Sequence, residues 1–172
     1  MVAYTFRMTA GIPGEVNRIF DSAIEAAVIT PFGTTGAPSA YGVPLVMDAV
    51  TGHVRTLAAA DTGVYGWLVR PYPTGPSYGG SVGAGAALGT SVPPVSGTCD
   101  VLVSGYIHIL LGGSVAAVKG APVFVWTAVS ATGHVQGTVE AVAAGASTIQ
   151  VPGAYFMGPA DASGITEIAV NP

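Results

Sequence analysis

Charged residues are scarce in this chain: of its 172 residues, 5 are Lys or Arg and 9 are Asp or Glu. The charged share is 8%, whereas an average soluble protein has roughly 25%. A free surface with so few charges is poorly solvated and tends to associate. The composition therefore indicates that much of the surface is covered in an assembly. An ordinary Ala/Gly/Val-rich β domain with a Thr/Ser surface is the alternative.

Positive charge is not only scarce but dispersed along the chain. The five basic residues are Arg7, Arg18, Arg55, Arg70 and Lys119. Affinity for nucleic acid comes mainly from clustered Lys and Arg against phosphates, and attachment to anionic lipid needs a polybasic patch. We therefore expect no nucleic-acid partner. The uncharged stretch 101–118 is broken by a Gly-Gly pair and favours two strands over a membrane-spanning helix, so no membrane partner is expected either.

Residues that carry chemistry are equally sparse. The single cysteine, Cys99, can form neither an intramolecular disulfide nor a CxxC site, and its place at the start of an apolar run predicts a buried structural thiol. His53, His108 and His134 are far apart and form no HxH pair, so no metal is expected. The glycines of 83–89 lack the strand, helix and acidic residue of a dinucleotide fingerprint. The sequence predicts no catalytic residue, no cofactor and no enzymatic activity.

From residue 28 onward, short apolar runs alternate with Gly-containing turns. Many short strands with frequent turns are typical of barrels and sandwiches, so the predicted fold class is all-β, a small β-barrel or sandwich. Strand alternation places Trp67 and Trp126 in its core. The predicted strands are 28–32, 42–48, 54–58, 64–70, 100–111, 123–128, 135–142, 148–151, 155–157 and 165–170.

Residues 15–27 allow two interpretations. The spacing of Val16, Ile19, Phe20 and Ala23 predicts a short helix. The alternation that begins at Ile24 and continues through Ala26 and Val28 fits a strand instead, and this alternative stays open at the level of the sequence.

The N-terminus is predicted to be an extended arm, residues 1–14, attached to a single β domain, residues 15–172. Residues 3–8 alternate, so that Tyr4, Phe6 and Met8 share one face of a strand. Such a strand needs a partner, which is either its own barrel or a neighbouring chain that accepts an exchanged arm.

The β domain contains one long Gly/Pro/Ser-rich loop, residues 71–98, which carries no charge. A structureless excursion of this length in a compact domain is usually functional or flexible. We predict a surface loop that packs on a neighbour, with a mobile tip as the alternative. The candidate interaction residues on the arm and the loop are Tyr4, Phe6, Arg7, Met8, Tyr78 and Leu88.

Five segments resemble, in their order along the chain, the structural cement (decoration) proteins of tailed bacteriophage capsids. They are AYTFRMTAGIPGEVNR (3–18), VITPFGTTGAPSAYGVPLVMD (28–48), VRTLAAADTGVYGWLVRPYP (54–73), CDVLVSGYIHILLGGSVAAVKGAPVFVW (99–126) and AYFMGPADASGITEIAVN (154–171).

The resemblance implies a small β-barrel on the outside of the mature head that clamps adjacent major capsid subunits and has no catalytic residues. The expected partners are the major capsid protein and further copies of the chain, with a trimer favoured over a dimer. The expected location is the capsid surface of the virion, after synthesis in the cytoplasm of the bacterial host.

Two other functions remain open at this level. One is a different phage virion component, such as a minor capsid, connector or tail protein. The other is a carbohydrate-binding β module, which usually presents exposed aromatic side chains in a groove.

Overall fold

The computed structural model describes residues 11–30, 37–71 and 93–172, and this part of the chain is all-β. Its only helical elements are two single 3-10 turns, Ile19–Asp21 and Gly145–Ser147. The nine strands are β1 (Ala23–Ile29), β2 (Pro44–Met47), β3 (Val54–Thr56), β4 (Gly66–Leu68), β5 (Gly97–Leu110), β6 (Pro122–Trp126), β7 (Val139–Glu140), β8 (Thr148–Phe156) and β9 (Ile165–Val170).

Five of these strands close into a barrel. Neighbouring strands pair in the order β1-β3-β2-β4-β5, and β5 returns to pair with β1. The β1–β5 pairing is antiparallel and runs over the whole of β1, from Ala23 opposite Ser104 to Ile29 opposite Gly97. The β1–β3 pairing is parallel and consists of one register pair, Ile29 with Val54. The predicted all-β barrel is thereby confirmed.

The remaining four strands extend from the second half of β5. This strand has 14 residues, and after its pairing with β1 ends it pairs with β9, from Gly105 opposite Val170 to Leu110 opposite Ile165. The sheet continues in the order β9-β8-β6-β7. β5 is therefore the common strand of the barrel and the added sheet.

Two clusters of buried side chains lie on opposite faces of β4 and β5. Leu68 and Val101 belong to one cluster, inside the barrel. Trp67, Val69 and Leu102 belong to the other, which extends to the strands of the added sheet. Because successive side chains of a strand point to opposite faces, both faces of β4 are covered, and all three of its residues are buried.

The predicted helix over 15–27 is wrong. One 3-10 turn is followed at once by β1, so the strand interpretation of Ile24, Ala26 and Val28 is confirmed and the strand begins five residues before the predicted 28–32. The helical interpretation relied on the spacing of apolar residues that include Ile19 and Phe20, and these two side chains do not face a core. They are 63% and 102% exposed.

Two predictions about the later strands also need correction. β8 is continuous through Pro152 and Gly153, where two strands with a break were predicted. Gly153 adopts a positive φ of 70°, as in a bulge that bends a strand without ending it. In contrast, the predicted strand 135–142 shrinks to the two residues of β7, since Gly137 makes a turn with a φ of 84°.

A partly buried ion pair anchors the turn that follows β3. The Arg55 guanidinium donates to both carboxylate oxygens of Asp61, at 2.7 and 2.8 Å, and the Ala58 N–H donates to the same carboxylate at 2.6 Å. The hydrogen bond from Arg55, supported by the Ala58 N–H, lowers the pKa of Asp61 below its ordinary value of 3.8.

Asp61→Asn should therefore lower the free energy of unfolding by about 2 kcal/mol at pH 7, since a hydrogen bond to a charged group contributes about that much. A lowered folded-state pKa gives stability that is complete above the unfolded-state pKa and is lost as the pH falls through the folded-state value. The difference between wild type and variant, measured by urea denaturation, should thus shrink as the pH falls below the ordinary carboxyl pKa of 3.8. The exposed carboxylate of Asp21 supplies the control, Asp21→Asn. A pH-independent difference would contradict the assignment.

Candidate interaction surface

The outer edge of β1 carries backbone groups that no described residue bonds. On β5, Asp100 directs its carbonyl towards β4, where it accepts from the Val69 N–H at 2.9 Å. In an antiparallel pair the N–H and C=O of one residue point to the same edge. Ala26, the partner of Asp100, therefore directs its own N–H and C=O away from β5, and so does Ile24 by alternation.

β3 uses this edge only at the end of β1. There the Thr30 N–H donates to the Val54 carbonyl at 3.2 Å. At Ile24 and Ala26 the edge is open in the part of the chain that the structure describes. An unpaired edge of this kind is a template for the addition of another strand.

The open edge is flanked by exposed apolar side chains. Ile24 and Val28 are 40% and 38% exposed and share one face of β1 with Ala26. Phe20 and Ile19, on the 3-10 turn just before β1, are more exposed still. Most large apolar side chains in a folded protein are better covered than these, and an apolar patch beside an open edge marks an interaction surface.

Negative charge lies on the opposite face of the same strand. Glu25 is exposed, and its carboxylate accepts a hydrogen bond from the Tyr65 hydroxyl. This interaction raises the pKa of Tyr65, chiefly because the Glu25 carboxylate binds the protonated hydroxyl. Asp21, on the preceding turn, is also exposed. The open edge therefore has an apolar face and an acidic face.

Residues 11–22 run alongside the second half of β5, towards the start of β1. At the start, the Gly14 N–H donates to the His108 carbonyl at 2.8 Å, and the His108 N–H donates to the Glu15 carbonyl at 3.0 Å. Further along, the Arg18 guanidinium lies 4.1 Å from the centre of the Tyr106 ring and 3.0 Å from the Glu167 carboxylate. These contacts hold the segment that leads into β1.

The two ends of the long loop meet at the barrel. The Val69 N–H bonds the Asp100 carbonyl, so the chain leaves β4 and returns to β5 at neighbouring positions. At the returning end, Val95 is 71% exposed. The excursion is thus an insertion between two adjacent strands, which leaves the barrel's pairing intact.

The interaction residues predicted from the sequence all lie outside the described residues. These residues are Tyr4, Phe6, Arg7, Met8, Tyr78 and Leu88. Most of the predicted arm and of the predicted loop also lies outside the described residues. The open edge of β1 and the exposed Phe20 were missed by the sequence analysis. The available signal was the alternation of Ile24, Ala26 and Val28, which the helical interpretation set aside.

Two of the three histidines that the sequence analysis considered for chemistry bond to neighbouring side chains. His53 bonds the Thr30 hydroxyl through Nδ1 at 2.6 Å, and His134 bonds the buried Glu140 carboxylate at 2.6 Å. His108 is buried on β5. No group of three or more His, Cys, Asp and Glu in the described ranges could hold a metal ion. Nor does any helix of those ranges have the length and apolar character to span a membrane.

Cys99 and the two tryptophans are packed against the barrel and the added sheet. The Cys99 thiol is half-buried and free, and burial, with a smaller contribution from the Asp100 carboxylate, raises its pKa to about 11. Trp67 is fully buried in the second cluster. Trp126 is also buried, with its ring stacked on His134 at a centroid distance of 4.2 Å. Neither tryptophan is therefore available to stack on a sugar.

Comparison with known proteins identifies the family. The model of the XM1 gp53 minor capsid protein family matches residues 1–170. The chain belongs to this family. It is accordingly a structural protein of a phage capsid and a component of the virion. The family is one of structural proteins, which agrees with the expectation of a non-enzymatic role.

A solved structure shows the same fold. A chain in the structure described as the capsid of Myoviridae phage XM1 superposes with a TM-score of 0.65, at 17% sequence identity. The match covers 95% of this chain and 91% of that chain. Among curated proteins, none matches. The capsid protein thus shares its barrel with a virion protein from which its sequence has diverged widely.

Proposed function

We propose that this capsid protein is a cement (decoration) protein, which binds the outer surface of the phage head and stabilises contacts between major capsid subunits. The observation that carries the proposal is the exposure of large apolar side chains on a surface with little charge. Phe20 is 102% exposed, Val50 92% and Val129 77%. A capsid protein that packs on other subunits would cover such groups.

The energetics of this surface suit a cement protein. Burial of an exposed Val, Leu or Phe side chain contributes about 1.5–3 kcal/mol, and little charge must be desolvated alongside it. Each contact is opposed by the entropy lost on association, so one contact alone is weak. Where several contacts of one oligomer form at the same time, avidity makes the overall affinity much higher than that of any single contact. The proposed partners are the major capsid protein and further copies of the chain.

The test is to add the purified protein to heads that have been stripped of it and to image them by cryo-electron microscopy. Regular density at the threefold or twofold positions of expanded heads, in hundreds of copies, is the expected result. Density at a single vertex, or no density with folded protein, would overturn the cement function and favour a connector or tail component.

The double variant Tyr78→Ser/Leu88→Ser tests the proposed contact of the long loop with the head. Loss of two apolar side chains from the proposed interface should weaken binding to stripped heads at least tenfold, by about 1.4 kcal/mol or more. The matched control is Ala59→Ser, which alters an exposed small side chain on the turn after β3 and should bind as the wild type does. Equal affinity of the double variant and the wild type would exclude the loop from the interface.

A further inference from the structure

We propose that two copies of the chain pair about a two-fold axis, with the Phe20 ring of each copy inserted into an apolar groove between β4 and the added sheet of the other. This association is measured without heads, so it stands or fails independently of the cement function. It rests on the exposure of the ring, on the form of the groove, and on the position of both on one surface.

The first observation is the exposure of the Phe20 ring. Phe20 is 102% exposed, so no described residue covers it, and its neighbour Ile19 is 63% exposed on the same 3-10 turn. Aromatic side chains are enriched in the cores of protein–protein interfaces. Burial of one such ring removes about 150–250 Å² of surface from water. The turn before β1 therefore presents a side chain suited to anchor a contact.

The second observation is a groove that suits an aromatic ring. It has a volume of about 230 Å³ and lies between the start of β4 and the strands β8 and β9. The described residues that line it carry no charge, so an apolar side chain can enter without the desolvation of an ion. Most of its wall is formed by Val64, Tyr65, Val103, Val151, Pro152 and Val170.

The third observation is that the ring and the groove flank the same two residues of β5. Ser22, which follows Phe20 by two positions, lies against Gly105, where an added Cβ would be 2.7 Å from the Ser22 Cα. The Ser104 hydroxyl donates to the Asn171 carbonyl at 2.7 Å, and Asn171 lines the groove. Phe20 and the groove therefore belong to adjacent parts of one surface.

A projecting ring and a groove on one surface make that surface self-complementary. When two copies face each other about a two-fold axis, each ring meets the groove of the other copy, and both contacts form in the same step. A ring and a groove on opposite surfaces would instead build an open chain of copies. The adjacency thus favours a closed dimer, the second of the two states expected from the sequence.

A second copy also accounts for more of the structure than the chain's own arm does. An aromatic side chain of the arm, Tyr4 or Phe6, could fill the groove, but Phe20 would then stay exposed. The Phe20 ring of the same chain lies outside the groove, since it is 102% exposed. Insertion of Phe20 from a second copy removes both the ring and the groove from water.

The test is the mass of the full chain, measured by light scattering after size-exclusion chromatography. The wild type should have twice the mass of one 17.0 kDa chain. Phe20→Ala removes the ring and Val64→Glu places a charge in the groove, so each should weaken the dimer at least roughly tenfold and shift the mass towards one chain. The control Val135→Ala truncates an exposed side chain on the hairpin between β6 and β7 and should stay dimeric. Any other wild-type mass, or an unchanged mass of Phe20→Ala, would overturn the proposal.

Two further samples identify the occupant of the groove. The Phe20→Ala chain keeps its groove and the Val64→Glu chain keeps its ring, so a mixed pair has one intact contact and should associate more tightly than either variant alone. A chain without residues 2–10 should form the same dimer as the wild type. Circular dichroism checks the fold of each variant. A mixture of folded variants with no gain in association, or loss of the dimer in the folded deletion variant, would contradict insertion between copies, and the second result would identify the arm as the occupant.

Discussion

Gly105→Ala is expected to lower the free energy of unfolding by about 4 kcal/mol, the sum of a disallowed backbone conformation and a close contact. Gly105 has a φ of 123°. A Cβ added there would lie 2.2 Å from the Ser22 Oγ and 2.7 Å from the Ser22 Cα. Since the second distance involves backbone, no rotation of the serine side chain relieves it.

Gly97→Ala is the matched control for this prediction. Gly97 also lies on β5 and has a φ of 111°, but a Cβ there would meet nothing within 4 Å. This variant should lose only the conformational part, about 1–2 kcal/mol. Urea denaturation of both variants gives the difference, which reports the contact with Ser22. Equal losses would show that the backbone shifts and that the contact has no cost.

The reason for the glycine is its position in the sheet. Ser104 is the last residue of β5 opposite β1, and Gly105 is the first opposite β9. The segment that enters β1 passes close to β5 at this point, where Ser22 lies against Gly105. A side chain at that position would push the segment that enters β1 away from β5.

Trp67→Ala has the second large expected effect, a loss of about 3–5 kcal/mol from the removal of a fully buried aromatic side chain. Trp67 is 0% exposed and belongs to the cluster that joins β4 to the added sheet. Its Nε1 has no hydrogen-bond partner among the described residues. Trp67→Phe should therefore cost much less than Trp67→Ala, since it removes an unsatisfied donor and keeps most of the ring volume.

Leu68→Ala complements this variant on the other face of β4. Leu68 is also 0% exposed, but it packs inside the barrel. Because the two clusters share β4 and β5, both variants should shift one common unfolding transition, as seen by tryptophan fluorescence and circular dichroism together. Separate transitions in either variant would show that the barrel and the added sheet unfold independently.

The fold class could be predicted because alternation and turn residues act locally. Gly52 illustrates this: it makes the predicted turn, with a φ of 69°, and β3 begins two residues later. The start of β1 could not be predicted with confidence, since both faces of that strand are largely exposed and its apolar spacing also fits a helix.

The interaction surface was beyond the reach of sequence alone. Which edge of a strand is open depends on the neighbours that pairing assigns to it, and Asp100 and Val69 are 31 positions apart in the chain. The exposure of Phe20 could not be predicted from the sequence for the same reason. Whether a core lies beneath its ring depends on the three-dimensional arrangement of the strands. Composition indicated that a surface is covered, and the structure shows which described apolar side chains are exposed.

The 14 residues of β5 also have a mechanical consequence. A force that pulls the barrel away from the added sheet along this strand is carried by a continuous covalent backbone, whereas a force between two separately packed halves would be carried by side-chain contacts. The hydrogen bonds to β1 and β9 are then loaded in shear, many at once, instead of opening one after another. Under the outward tension of a filled head, such a protein would behave as a stiff tie and not as a hinge.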